Sequence, residues 1–280
     1  MIVDCHVHLN NYEEDLVPTL DQCLQRLLVA MRRNRIDIAL VLTSYKVTPG
    51  RPSTRSVVEA LRDLPYLYVV AGLDFHTFTP DHLVELGDYV REGKVRGLKL
   101  YPGYQPFYPN DAKWQPAYEF AAEHRLPVMI HSGDTYSPRG KLKYAHPLHI
   151  DEVAVDHPDV HFVICHIGNP WIRDCMEVVY KNANVHTDIS GLTLGAFRDR
   201  FEAFMRKQVQ EMLLYGVEPD QVLFGTDWPI SSMESYLEFM DELATPEREK
   251  RKILAENAIR LFQLDPRTSL LSGGRRSAGD

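Results

Sequence analysis

Apolar positions in this chain follow two alternating rhythms. Short β-branched runs, whose successive side chains point to opposite faces, give way to stretches with an apolar residue every three or four positions, the spacing of an amphipathic helix. The opening MIVDCHVH reads as a strand over Ile2 to Val7. IDIALVLTS, YLYVVAGLD, VRGLKLYP, LPVMIH, VHFVICHIG, VHTDIS and QVLFGTD read as seven more. Helices are predicted over DLVPTLDQCLQRLLVAMRRN, STRSVVEALRDL, TPDHLVELGDYVREG, DAKWQPAYEFAAEHR, PLHIDEVAVDHP, PWIRDCMEVVYKN and roughly residues 196–215. Two more follow at SMESYLEFMDEL and PEREKRKILAENAIRLF. Strands that alternate with helices and are apolar on both faces form a parallel sheet covered by helices. Eight such units in about 265 residues fit the α/β class as a (β/α)8 TIM barrel. An open doubly wound sheet would place a glycine-rich loop after the first strand. HLNNYEED stands there without a glycine, which favours the barrel. One domain is expected over residues 1–265, with a flexible tail over 266–280.

Composition narrows the picture. Of 280 residues, 44% are hydrophobic and 25% charged, as in an ordinary globular protein, and the formal charge of −8 gives no footprint for nucleic acid. No apolar run approaches a membrane span and no basic leader opens the chain, so a cytoplasmic protein without membrane contact is expected. Cys5, Cys23, Cys165 and Cys175 have no zinc-finger or redox spacing and sit among apolar residues, which reads as buried reduced thiols. The expected partners are a small-molecule substrate and, at most, a second copy of the chain as a homodimer.

Chemistry concentrates where strands end. In a barrel those ends converge on one mouth. In strand one, alternation would put Asp4, His6 and His8 on one face, with Cys5 and Val7 on the other. Lys99 lies near the end of strand four, His131 at the end of strand five and His166 at the end of strand six. Asp188 ends strand seven and Asp227 strand eight. Alone, each has an ordinary explanation: a solvated histidine, a snorkelling lysine, an aspartate capping a helix. Together they make a nitrogen–oxygen donor set for a divalent metal. Asp4 and Asp188 are expected to support the ligating histidines. His76, His82, His124, His146, His149, His157, His161 and His186 fall mainly in helices, loops or strand starts and are read as structural.

The Asp-x-His-x-His start, the histidines of strands five and six, and the segments HFVICHIGNPW, NVHTDISG, VLFGTDWPI and ENAIRLF resemble the amidohydrolase superfamily. More narrowly, they resemble its amidohydrolase-related branch, which includes aminocarboxymuconate-semialdehyde decarboxylase, resorcylate-type decarboxylases and pyrone-dicarboxylate lactonase. The resemblance implies that His6, His8, His131 and Asp227 ligate the metal, with Asp227 also handling the proton of its water. It implies that His166 polarises substrate or moves protons. The setting of Lys99, GLKLYP, also resembles the strand-four lysine of dihydroorotase, which is carboxylated and bridges two metals. One ion is favoured, two if Lys99 is carboxylated. Zn2+ is the first expectation, with Mn2+ or Fe2+ also suited. Loops carrying Tyr12, Tyr45, Lys46, Arg51, Arg55, Tyr101, Tyr104, Phe107 and Tyr108 are expected at the rim, which suits a small planar anion. The expected activity is hydrolysis of an amide, ester or lactone by metal-bound hydroxide, with Asp227, His166 and Lys99 catalytic. Non-oxidative decarboxylation of a small aromatic or unsaturated carboxylate is the alternative.

Overall fold

Strand and helix alternate from end to end in the computed structural model, which describes residues 1–10 and 18–271. The order is β1 (Val3–Val7), α1 (Leu20–Arg33), β2 (Ile38–Leu42), α2 (Thr54–Ala60), β3 (Leu67–Gly72) and α3 (Asp81–Arg91). It continues with β4 (Val95–Leu100), α4 (Gln115–His124), β5 (Val128–Ile130), α5 (Leu148–Asp156), β6 (Phe162–Ile164) and α6 (Ile172–Lys181). β7 (Val185–Asp188), α7 (Asp199–Tyr215), β8 (Val222–Leu223) and α8 (Met233–Glu242) complete the eight units. The expected final helix is α9 (Glu247–Arg251) and α10 (Asn257–Leu261) with a π-helical turn, Lys252–Glu256, between them. α1 begins at a capping box: Thr19 accepts from the Gln22 amide while the Gln22 side chain accepts from the Thr19 amide. The part of its predicted span before residue 18 lies outside the described residues.

All strands pair in parallel in sequence order, as a TIM barrel requires. β8 is only two residues long, but the chain beyond it closes the ring on β1. The Cys5 amide donates to Phe224 O at 3.0 Å, the Asp227 amide to His6 O at 2.8 Å and the His8 amide to Trp228 O at 2.7 Å. That closure carries Asp227 to the side of His6 and His8. Val3, Cys5, Leu40, Val70, Met129 and Val163 fill the barrel interior, with Leu261 and Phe262 packed in the same cluster. Val7, Ala39, Val41, Val69, Leu98 and Ile130 face the helices.

Two expectations about the chain ends change. β1 is not a regular strand: its register with β2 shifts between Asp4 and Val7. Asp4 pairs with Ala39, an outward residue, and Cys5 joins the interior cluster. A bulge therefore separates Asp4 from the face that carries His6 and His8. Asp4 instead clips the β1–β8 seam, accepting from the Thr226 amide (3.0 Å), Thr226 Oγ1 (2.6 Å) and the His6 amide (3.1 Å). At the other end, residues 266–271 of the expected tail are tied to the barrel. The Leu270 amide donates to Asp37 O, and Thr268 Oγ1 lies 3.3 Å from the Tyr68 hydroxyl. Residues 272–280 lie outside the described residues.

Apart from the polar residues at the strand ends, the interior holds a titratable group. His186 on β7 is buried, its Nδ1 has no partner among the described residues, and its ring is 5.3 Å from that of His161. Burial, with His161 and Arg260 nearby, lowers its pKa to about 3. An unfolded His titrates near 6.5, so between these values the unfolded chain binds the extra proton. His186 therefore leaves stability intact above pH 6.5 and removes it as pH falls, by about 2 kcal/mol at pH 5. His186→Phe is expected to lose less melting temperature than the wild type between about pH 7.5 and pH 5. Identical acid limbs in thermal melts would refute this.

Candidate metal centre

The polar strand ends meet in one cavity. His6, His8, Lys99, His131, His166 and Asp227 all line it. His6 and His8 sit at the end of β1 and beyond it; Lys99 is on β4. His131 directly follows β5. His166 and Asp227 lie past their short strands, in turns that hold them at φ 62° and 65°. These are left-handed values that few non-glycine residues adopt. Gly191, at φ +63°, permits the packing: a Cβ there would stand 2.5 Å from His166 Nδ1 and 3.1 Å from Asp227 Oδ2.

The tautomers follow from what each ring touches. Asp188, the last residue of β7, places Oδ2 2.9 Å from His6 Nδ1. Its Oδ1 accepts from the His166 amide (2.9 Å), the Ser190 amide (3.0 Å) and the Ser190 hydroxyl. Having given its proton to Asp188, the Ser190 hydroxyl can only accept, and it stands 2.9 Å from both His6 Nδ1 and His166 Nδ1. The Ser190 carbonyl is 3.0 Å from His166 Nδ1. His8 Nδ1 donates to Leu42 O at 2.8 Å. All three imidazoles therefore carry hydrogen on Nδ1 and turn Nε2 away from these acceptors.

Two of those nitrogens meet a carboxylate. Asp227 Oδ1 is 3.1 Å from His8 Nε2 and 3.7 Å from His6 Nε2, and it is buried with no hydrogen-bond partner among the described residues. Burial opposes its ionisation, but His8, His6 and His166 around it hold its pKa well below the carboxylate range. Burial, reinforced by the Lys99 charge, lowers His6 to about 4, so the ring is neutral. Two imidazole nitrogens and a carboxylate oxygen thus converge on one point. Nitrogen and oxygen ligands about 2.1 Å from a tetrahedral ion stand about 3.4 Å apart, and the two separations bracket that value. The donor set fits a divalent cation.

Not every expected residue joins this cluster. The ligand atoms of His6, His8 and Asp227 lie within 4.8 Å of one another, as do those of His6, Cys165 and His166; His131 belongs to neither group. Its Nε2 meets Asp134 O at 2.9 Å, its ring lies 5.2 Å from His166, and burial lowers its pKa well below the usual value. Lys99 Nζ rests 2.6 Å from Cys165 Sγ. Of the expected rim, Tyr45, Arg51, Tyr101 and Tyr104 line the cavity. Phe107 is instead buried in the core, Tyr108 packs on Tyr144 and His149, Arg55 pairs with Glu85 at 2.8 Å, and Lys46 is not in the lining. Tyr12 lies outside the described residues. None of the eight histidines read as structural lines the cavity. Ser190, Tyr136 and Ile230 were missed; the Asp-x-Ser at the end of strand seven was the available signal for the first.

Comparison with known proteins agrees with this architecture. The model of the Amidohydro_2 family, described as amidohydrolase, matches residues 3–264. The gamma-resorcylate decarboxylase of Rhodococcus jostii (strain RHA1) is 23% identical over 58% of either chain, so this chain matches little more than half the length of that relative. A putative 2-pyrone-4,6-dicarboxylic acid hydrolase from Pseudomonas putida superposes with a TM-score of 0.69 at 20% identity, covering 94% of this chain and 98% of that one. A dihydroxybenzoic acid decarboxylase from Polaromonas sp. JS666, solved with bound manganese, superposes at 0.67 and 16% identity, covering 94% and 97%. At such identities the two structures speak for the fold. No helix among the described residues is long and apolar enough to cross a membrane. With the match spanning all eight strands and the seam that closes them, the chain belongs to the amidohydrolase family.

Proposed function

We propose that this protein is a metal-dependent non-oxidative decarboxylase of a small aromatic carboxylate. The observation that carries the reading is the cavity itself, where His6, His8 and Asp227 share a lining with Tyr45, Tyr101, Tyr104 and Arg51. Similarity to a gamma-resorcylate decarboxylase supports it. His6, His8 and Asp227 would hold one divalent cation, with His131 as a further donor; Zn2+ matches the set, as do Mn2+ and Fe2+. When bound, the ion supplies positive charge that grips a carboxylate or phenolic oxygen and stabilises negative charge there.

The residues of the chain do the rest. Arg51 offers a guanidinium to a second anionic group, and the tyrosines sandwich a planar ring. Asp227, ionised before substrate enters, takes the proton of a substrate hydroxyl, which raises electron density in the ring. His166, with Nδ1 fixed on Ser190, presents Nε2 to the cavity and, when protonated, gives that proton to the ring carbon bearing the carboxylate. The electrons of the carbon–carbon bond then return to the ring as carbon dioxide leaves.

The sequence-based preference for hydrolysis rested on Lys99 facing the substrate. Its Nζ lies against Cys165 Sγ instead, which weakens that basis and also favours one ion over two. Hydrolysis of a lactone or cyclic amide stays as the second reading because Lys99 still lines the cavity beside His131. The test is incubation with hydroxybenzoates and with lactones and cyclic amides, assayed for carbon dioxide and ring-opened acid. Carbon dioxide release is expected from a hydroxybenzoate, abolished by chelation and restored by Zn2+ or Mn2+. In His166→Ala it should fall about 10²–10⁴-fold. Ring opening without carbon dioxide would overturn the proposal in favour of hydrolysis.

A further inference from the structure

Two reactive side chains in the barrel have no part in that chemistry. Lys99 is 1% exposed and Cys165 is fully buried. Lys99 is held in register with Gly72 and Met129 on β4, and Cys165 follows β6 immediately. Among the described residues the only hydrogen-bond partner of Lys99 Nζ is Cys165 Sγ. A buried ammonium ordinarily takes carboxylate or carbonyl oxygens, and sulfur is a weak acceptor. The 2.6 Å separation is well inside ordinary nitrogen–sulfur contact and too long for a direct nitrogen–sulfur bond. It is the distance that one oxygen atom bonded to both would span.

We propose that Lys99 and Cys165 form a reversible covalent redox pair, joined when oxidised by an Nζ–O–Sγ bridge. With dioxygen as oxidant, the Lys99 ammonium first gives one proton to solvent, and the thiol S–H and one amine N–H bond are then broken. One oxygen atom becomes the bridge, and the other leaves as water with the two hydrogens. Sulfur and nitrogen each lose two electrons, and dioxygen gains the four. With hydrogen peroxide, two molecules serve and three waters leave. Two equivalents of a dithiol return the four electrons, restoring thiol and amine and releasing the oxygen as water. Lys99 lines the cavity, so a small neutral oxidant reaches the pair through the mouth. Among the described residues Cys23 and Cys175 lack an amine partner: Cys175 Sγ faces Thr187 Oγ1 at 3.6 Å, and Cys23 has no hydrogen bond to a lysine. Once bridged, Lys99 no longer offers an ammonium, so oxidation removes a positive charge from the cavity whichever reaction the site performs.

The test is peptide mapping by mass spectrometry of the whole protein after graded hydrogen peroxide, before and after dithiothreitol. The expected product is a peptide pair joined through Lys99 and Cys165 and heavier by about 14 Da, lost on reduction. Lys99→Arg and Cys165→Ala should each fail to form it; the wild-type map decides even where a variant folds poorly. Addition of about 16 or 32 Da to Cys165 alone would overturn the proposal. So would a loss of about 2 Da, marking a direct sulfur–nitrogen bond or a disulfide to Cys5, or an unmodified pair at peroxide levels that oxidise exposed methionines.

Discussion

Replacing His6 and His8 together with Ala is expected to leave the purified protein without stoichiometric divalent metal, where the wild type should carry about one equivalent. The reason lies in the proton arrangement. His6 and His8 both commit Nδ1 to acceptors, Asp188 and Leu42 O, so each turns Nε2 towards Asp227 Oδ1. Removing both rings leaves one carboxylate of the tight cluster, with His131 outside it. A single carboxylate cannot compete with water for a divalent ion at micromolar concentration. Elemental analysis after desalting reads the result directly, and carbon dioxide release should vanish with the metal. A full equivalent retained by the double variant would place the ion elsewhere.

Asp188→Asn is expected to act almost as strongly without removing a ligand. The carboxylate takes four hydrogen bonds, from His6, the His166 amide, and the amide and hydroxyl of Ser190. Burial opposes its charge, yet the His6 contact keeps its pKa well below the usual range. An amide keeps one acceptor oxygen and turns an NH2 towards donors that need an acceptor. His6 then loses the partner that fixes its tautomer, and metal affinity should drop about 10–100-fold. Leaving buried donors unsatisfied should also cost about 1–3 kcal/mol for each. Metal titration with thermal melts separates the two effects. Unchanged affinity would assign Asp188 to folding alone.

The sequence revealed the barrel because its strands are buried on both faces and its helices are amphipathic, and both patterns are local. Histidines at strand ends were readable for the same reason: His6, His131 and His166 interrupt apolar runs where a strand meets the mouth. Asp4 was misplaced because period-two alternation assumes a regular strand, and the bulge between Asp4 and Val7 breaks the period without a glycine or proline to announce it. The Lys99–Cys165 contact joins residues 66 apart and depends on how two strands tilt in the ring, which no local pattern encodes. Phe107, Tyr108 and Arg55 were assigned to the rim by loop membership alone. Their burial and pairing depend on the path of each loop.

The left-handed backbone at His166 and Asp227 has a consequence for anyone who would improve this protein. Each such non-glycine residue holds about 1–3 kcal/mol of unfavourable conformation. Glycine or asparagine would relax it. A library selected only for heat tolerance would therefore drift towards those residues at both positions and, on the roles proposed for His166 and Asp227, enrich inactive barrels. Engineering for durability should hold 166 and 227 constant and seek its gains on the outer helices.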